Sequence, residues 1–348
     1  MRLGEPDPVQ HQYERGRAPT VPRDRGESDQ PTKSDFQRRS RRMALTAAML
    51  MSLVPGAVAA TENSGAGKAL GVDTIAIGIM PPPGMRLYTY LTYYEAHELL
   101  DGSGNPRRGV SNFDQNATAL FFRFQYVWPE AKLWDANIAT RVGVTANVDV
   151  NLKFDVDTPG GKIHRSGSAS ESFPGVLLAP VLLGWHSQTV HQIAGVQFFL
   201  PTRKYDKNQF VNASSGYSSV APTYWVTWLP IDQVEVDASF FWFYNWKNGE
   251  TNYKSGQEFD LDYAVGYSVT PAWQIGINGY AFKQLTSDEV NGNPVPGGNK
   301  GQVVSIGPYV RYSPSRDWGL AFKWQREYLV ENRPSGNRFF LQLMLKLW

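Results

Sequence analysis

Cysteine is absent from all 348 residues, which removes disulfide frameworks and thiolate metal sites. Export stays open, because a sheet that closes on itself needs no covalent staple. An excess of one charge sign is also lacking. The formal net charge is +2, and no Lys/Arg stripe interleaved with stacking aromatics marks a nucleic-acid surface. Histidine is scarce: His11, His97, His164, His186 and His191 form no i, i+4 pair of the kind that holds zinc. No metal and no cofactor are expected. There is no G-x-S-x-G elbow for a hydrolase, and Ser187 beside His186 would point to the opposite face of a strand. Residues 64–68, Ser-Gly-Ala-Gly-Lys, lack the first glycine and the Ser/Thr of a phosphate loop and read as a flexible leader.

Long apolar runs are missing too. The one uniformly apolar stretch, residues 43–54, falls short of the ~20 residues a membrane-spanning helix needs. Arg38, Arg39, Arg41 and Arg42 precede it, and Ala57-Val58-Ala59-Ala60 follows as an A-x-A-like cleavage site. Residues 43–60 are therefore expected to be a signal-peptide core and cleavage site. Residues 1–42, rich in Pro, Arg and Asp, read as disordered or as translation from a start codon placed too far upstream.

What the chain has is alternation. Val234, Val236, Ala238, Phe240, Trp242, Tyr244 and Trp246 share one side of a strand. Glu235, Asp237, Ser239, Asn245 and Lys247 share the other, interrupted by Phe241 and Phe243. A second strand repeats the pattern, with Phe259, Leu261, Tyr263, Val265 and Tyr267 opposite Glu258, Asp260, Asp262 and Ala264. A period of two separates the faces of a sheet, and a band of Trp and Tyr at the strand ends favours a lipid-facing wall around a polar lumen. The negative mean hydropathy is no objection, since half of each such strand faces a wet interior.

Turn signals divide residues 86–348 into about twelve strands. Tight turns are expected at 129–132, 187–190, 230–233, 270–272 and 314–317, and long polar loops at 100–113, 155–174, 205–220, 248–256 and 287–300. The expected fold is all-β, an antiparallel transmembrane β-barrel in the outer membrane of a Gram-negative bacterium. Short turns, and with them both termini, would lie in the periplasm. In hydrocarbon an unpaired backbone group costs several kcal/mol, so closure is the one solution left to a chain without a spanning helix. Further outward rows are expected at Leu120, Phe122, Phe124, Tyr126 and Trp128, and at Val142, Val144, Val148, Val150 and Leu152, opposite Asn147, Asp149 and Asn151. Phe339, Leu341, Leu343, Leu345 and Leu347 form the last row, with Trp348 out of parity.

Several motifs resemble those of an outer-membrane β-barrel family associated with the meta-pathway of phenol degradation, whose members are also described as transporters. They include Leu70-Gly71-Val72-Asp73, Pro81-Pro82-Pro83-Gly84 and Tyr93-Tyr94 near the start. Pro180-Val181-Leu182-Leu183-Gly184-Trp185-His186 and Phe199-Leu200-Pro201-Thr202-Arg203 look like the family's central hairpin, and Glu331-Asn332-Arg333-Pro334-Ser335-Gly336-Asn337 like its closing strands. The resemblance spans residues 61–348. It implies a channel for passive uptake of small hydrophobic or aromatic compounds, not an enzyme, with outer-membrane lipids and the barrel-assembly machinery as partners. An outer-membrane hydrolase and a structural or adhesive barrel are the rival classes.

Two groups of residues would carry function. Glu235, Asp237, Glu258, Asp260 and Asp262 are expected in the lumen facing Arg123, Arg141, Arg311 and Lys323, either as a solvated wall with ion pairs or as a charged constriction that selects solutes. Residues 61–85 are expected to be a periplasmic leader or a small lumen plug. Ile75 and Ile77 would enter the mouth, and the stiff Pro81-Pro82-Pro83-Gly84 would set the path.

Overall fold

The computed structural model describes residues 68–348. The expected signal peptide, the extension before it and residues 61–67 of the leader lie outside the described residues. The strands are β1 (Gly84–Leu99), β2 (Val110–Leu133), β3 (Ala136–Thr158), β4 (Gly161–His186), β5 (Val190–Pro201), β6 (Ser219–Ile231), β7 (Val234–Asn245), β8 (Tyr253–Lys254), β9 (Glu258–Ser268), β10 (Trp273–Gln284), β11 (Glu289–Val290), β12 (Asn293–Pro294), β13 (Gln302–Tyr312), β14 (Trp318–Glu331) and β15 (Pro334–Lys346). Twelve of them close an antiparallel barrel in the order β1-β15-β14-β13-β10-β9-β7-β6-β5-β4-β3-β2. The short β8, β11 and β12 form a separate three-stranded sheet at the long-loop end. Among the described residues no helix is long and apolar enough to cross a membrane.

Pairing β1 with β15 removes the last free edge, which is what lets strands with unequal faces sit in lipid. Their outer surface is banded. Trp128, Trp228, Trp273 and Trp318 ring the tight-turn end, and Trp242, Tyr244, Trp246 and Tyr328 ring the other. Val142, Val181, Val196, Val265, Ile277 and Leu341 are exposed between them. Aliphatic side chains at mid-height with amphipathic rings at both levels match a hydrocarbon slab and its two interfaces. β15 stops at Lys346, so Trp348 lies past the parity of its strand. Its carbonyl instead accepts the Met85 N–H at 3.1 Å. Gly84, at φ +122°, makes this possible, because a Cβ there would stand 2.3 Å from that carbonyl oxygen.

Three expectations need correction. The 129–132 turn is strand: β2 runs on to Leu133 through a register shift after Val127, and the reversal falls at Trp134 and Asp135, both at positive φ. The 155–174 loop is a hairpin, since β3 and β4 stay paired out to Thr158 and Gly161. The third concerns the faces of β3. Leu120 pairs with Asn147 while Phe121 pairs with Thr145, so Ala146 is an extra residue bulged out of the ladder. A bulge inverts parity beyond it. Val142 stays outward as expected, but Val148 and Val150 line the interior and Leu152 is buried against Phe113 and Phe154. Asn147, Asp149 and Asn151, expected inside, are thereby turned to the outer face.

Candidate functional site in the barrel lumen

The alternation of β7 and β9 delivers Glu235, Asp237, Glu258, Asp260 and Asp262 to the interior, where all are buried. Arg123 and Arg141 on β2 and β3, and Lys323 on β14, are buried inside as well, and Arg311 on β13 is partly so. The charges do not pair as the sequence suggests. Arg311 and Glu235 form a direct cross-wall pair through two contacts of 3.0 Å. Arg141 donates to Gln125 at 2.6 and 3.0 Å and lies 4.4 Å from the centre of the Trp225 ring.

The other charges grip residues 68–83, a strap that crosses the lumen before β1 begins. On one side Asp262 accepts Lys68 Nζ at 2.8 Å, the Gly71 N–H at 2.8 Å and the Asp73 N–H at 2.9 Å, and Asp260 also contacts Lys68. On the other side Lys323 donates to the Gly71 and Val72 carbonyls, both at 2.9 Å, and to Thr74 Oγ1 at 3.0 Å. Arg123 takes the Asp73 carboxylate through contacts of 2.5 and 3.3 Å. Further toward the tight-turn end, Asp237 accepts the Ile77 N–H at 3.3 Å and Thr227 the Gly78 N–H at 2.9 Å. Arg86 holds the Pro82 carbonyl at 3.0 Å.

Apolar contacts follow the same path. Leu70 packs with Tyr280 and Phe282, Val72 with Tyr90 and Phe340, Ile75 with Ala264, Tyr309 and Ala321, and Met80 and Ile77 with Trp225 and Phe241. Each fully buried aliphatic contributes about 1.5–3 kcal/mol, against about 1–2 kcal/mol of backbone entropy per ordered residue. The strap is thus held by its wall contacts, not by secondary structure of its own. Gly71 sits at φ +75°, and a Cβ there would meet Gln325 Oε1 at 2.1 Å; the strap passes the wall where it has no side chain.

Of the residues expected as a plug, Ile75 and Ile77 lie in the lumen, while Pro82 and Pro83 are exposed before Gly84 opens β1. Lys68, read from sequence as part of a flexible leader, is instead a buried ion-pair donor. Met80, in the same apolar stretch as Ile75 and Ile77, is buried in the lumen with them, whereas the sequence does not single out Leu70, Val72 and Asp73 as lumen residues. The available signal was one Lys and one Asp flanking an apolar stretch that no turn motif required.

Between the strap and the long loops lies a cavity of about 350 Å³. Lys68, Leu70 and Val72 of the strap border it, Phe113, Phe121, Phe199 and Tyr94 supply rings, and Ser214 and Tyr217 of the 202–218 loop border it at the loop end. Arg107 also lines it, from the loop joining β1 and β2. That loop is organised by Asp101, which accepts the Ser103 and Asn105 N–H groups at 2.9 and 3.1 Å; these bonds hold its carboxyl below the usual carboxylate range. Among the described residues no group of three His, Asp or Glu could hold a metal ion. Ser187 donates its hydroxyl to the Val190 carbonyl at 3.1 Å, not to a histidine.

A family sequence profile described as "Putative MetA-pathway of phenol degradation" matches residues 101–343. No curated protein matches the sequence. Among solved structures, the COG4313 outer membrane channel from Pseudomonas putida F1 superposes with a TM-score of 0.62 at 13% identity, over 80% of this chain and 99% of that one. A Pseudomonas aeruginosa FadL homologue gives a TM-score of 0.36 at 10% identity, over 84% and 98% of the two chains. The first likeness establishes the barrel fold; the second is too distant to carry an argument.

Proposed function

We propose, because the chain belongs to the MetA-pathway phenol-degradation family and is an outer-membrane β-barrel of a Gram-negative bacterium, that it is a channel through which small hydrophobic or aromatic compounds pass without cofactor or energy source. The observation that carries this reading is the ring-lined cavity above a strap that crosses the lumen. A cavity of about 350 Å³ lies at the lower end of the range of roughly 300–1,000 Å³ typical of small-molecule sites, so the solutes would hold one or two rings. The strap is the gate, and the buried charges that grip it govern passage through it. The tight turns and both termini face the periplasm, as in other barrels of this kind, and the long loops face outward. Lipids contact the banded outer surface, and the chain reaches it through the barrel-assembly machinery.

A strain lacking the gene should take up a panel of labelled monocyclic aromatics more slowly than wild type. Restoring the gene should restore the rate. Identical rates in all three strains would remove the transport reading and leave an adhesive or structural role to be tested.

A further inference from the structure

We propose that the cavity selects aromatic carboxylates over neutral aromatics of the same size. This deepens the passage reading and rests on it. The cavity wall is electrically one-sided. Lys68, Arg107, Arg123, Arg333 and Arg338 line it, and no Asp or Glu does. The counter-charges stand away from that wall. Asp260 and Asp262 hold Lys68, Asp73 holds Arg123, and Glu327, 4.0 Å from Arg338, accepts the Tyr94 hydroxyl at 3.0 Å. None of these carboxylates borders the cavity.

Two of the cations are held in place by the wall: Arg123 is 2% exposed with its terminal nitrogens on Asp73, and Arg338 is largely covered 4.0 Å from Glu327. A guanidinium fork matches a carboxylate in geometry and charge. The same cations lie near aromatic rings. Arg338 is 4.6 Å from the Tyr94 ring centre, and Arg123 is 5.1 Å from that of Tyr90 and 5.5 Å from that of Phe121. A ligand that is a flat ring carrying one anionic group meets both features at once. A neutral ring satisfies the aromatic wall and leaves the cationic one unanswered. A cationic ring is repelled by it.

The test uses the full-length protein in detergent and isothermal titration at neutral pH with benzoate and benzamide, which differ little in shape and by one charge. Benzoate should bind at least tenfold more tightly. Gln115, a neutral residue of the cavity lining, offers a near-isosteric control that leaves every ion pair in place. In Gln115→Glu the benzoate affinity should drop by tenfold or more while benzamide binds as before. Arg107→Gln, on the loop, should lower the benzoate affinity in the same sense. Equal affinities for the two ligands, or a preference unmoved by Gln115→Glu, would overturn the carboxylate inference and leave passage of neutral aromatics standing. Absence of binding by either ligand would count against the passage reading itself, and the inference would fall with it.

Discussion

Asp262 ties two parts of the strap to the wall, with one ammonium and two backbone N–H groups on its carboxylate. Hydrogen bonds to a charged group contribute about 1.5–3 kcal/mol each, so Asp262→Asn should loosen the strap while leaving the strand ladder intact. Planar-bilayer recordings should show higher conductance than wild type, with unchanged heat-dependent gel mobility. Position 264 and its neighbour separate the two faces. Val265→Arg puts a cation against lipid and should impair assembly by about 2–4 kcal/mol if the site lies near the midplane. Ala264→Arg, where Ala264 packs on Ile75, should assemble and displace the strap. Equal assembly defects at both positions, seen as equal loss of the folded gel band, would refute this assignment of faces. The direction of these side chains was legible in the sequence because parity depends on the strand alone. Their partners were not, because Asp262 meets residues almost two hundred positions away, on a segment with no periodicity.

The bulge at Ala146 decides what β3 presents to the cavity. Deleting Ala146 should restore the unbroken alternation, turn Val148, Val150 and Leu152 outward and bring Asn147, Asp149 and Asn151 in. The cluster that Leu152 shares with Phe113, Phe154 and Val211 would be lost, and the folded form should melt at a lower temperature in heat-modifiability gels; an unchanged transition would contradict the bulge. No turn residue announces it: Thr145-Ala146-Asn147 reads as ordinary strand. The hairpin over 155–174 was hidden for a different reason. Alternation appears where lipid lies on one face and lumen on the other, and residues 157–169 are polar and largely exposed on both. The β1–β2 loop carries a pH dependence. Asp101's lowered pKa means its bonds to Ser103 and Asn105 stabilise the loop at neutral pH. They are lost as pH falls through that lowered value, so the protection of the Ser103 and Asn105 amides, measured as hydrogen exchange relative to the intrinsic rate at each pH, should fall on acidification and be retained at neutral pH.

Closure was the most legible property of the whole molecule. Twelve strands with two aromatic belts, and no spanning helix among the described residues, leave a barrel as the way to satisfy the backbone in lipid, and the β1–β15 ladder completes it. The content of the barrel was less legible, since a segment can enter a lumen only once the walls exist to hold it. On the proposed reading, the strap limits passage through the barrel. Single-channel conductance of the wild-type protein is to be compared with that of a variant lacking residues 68–80. Conductance should be several-fold higher in the variant, with the heat-modifiable barrel retained; equal conductance with a folded barrel would contradict a gating strap.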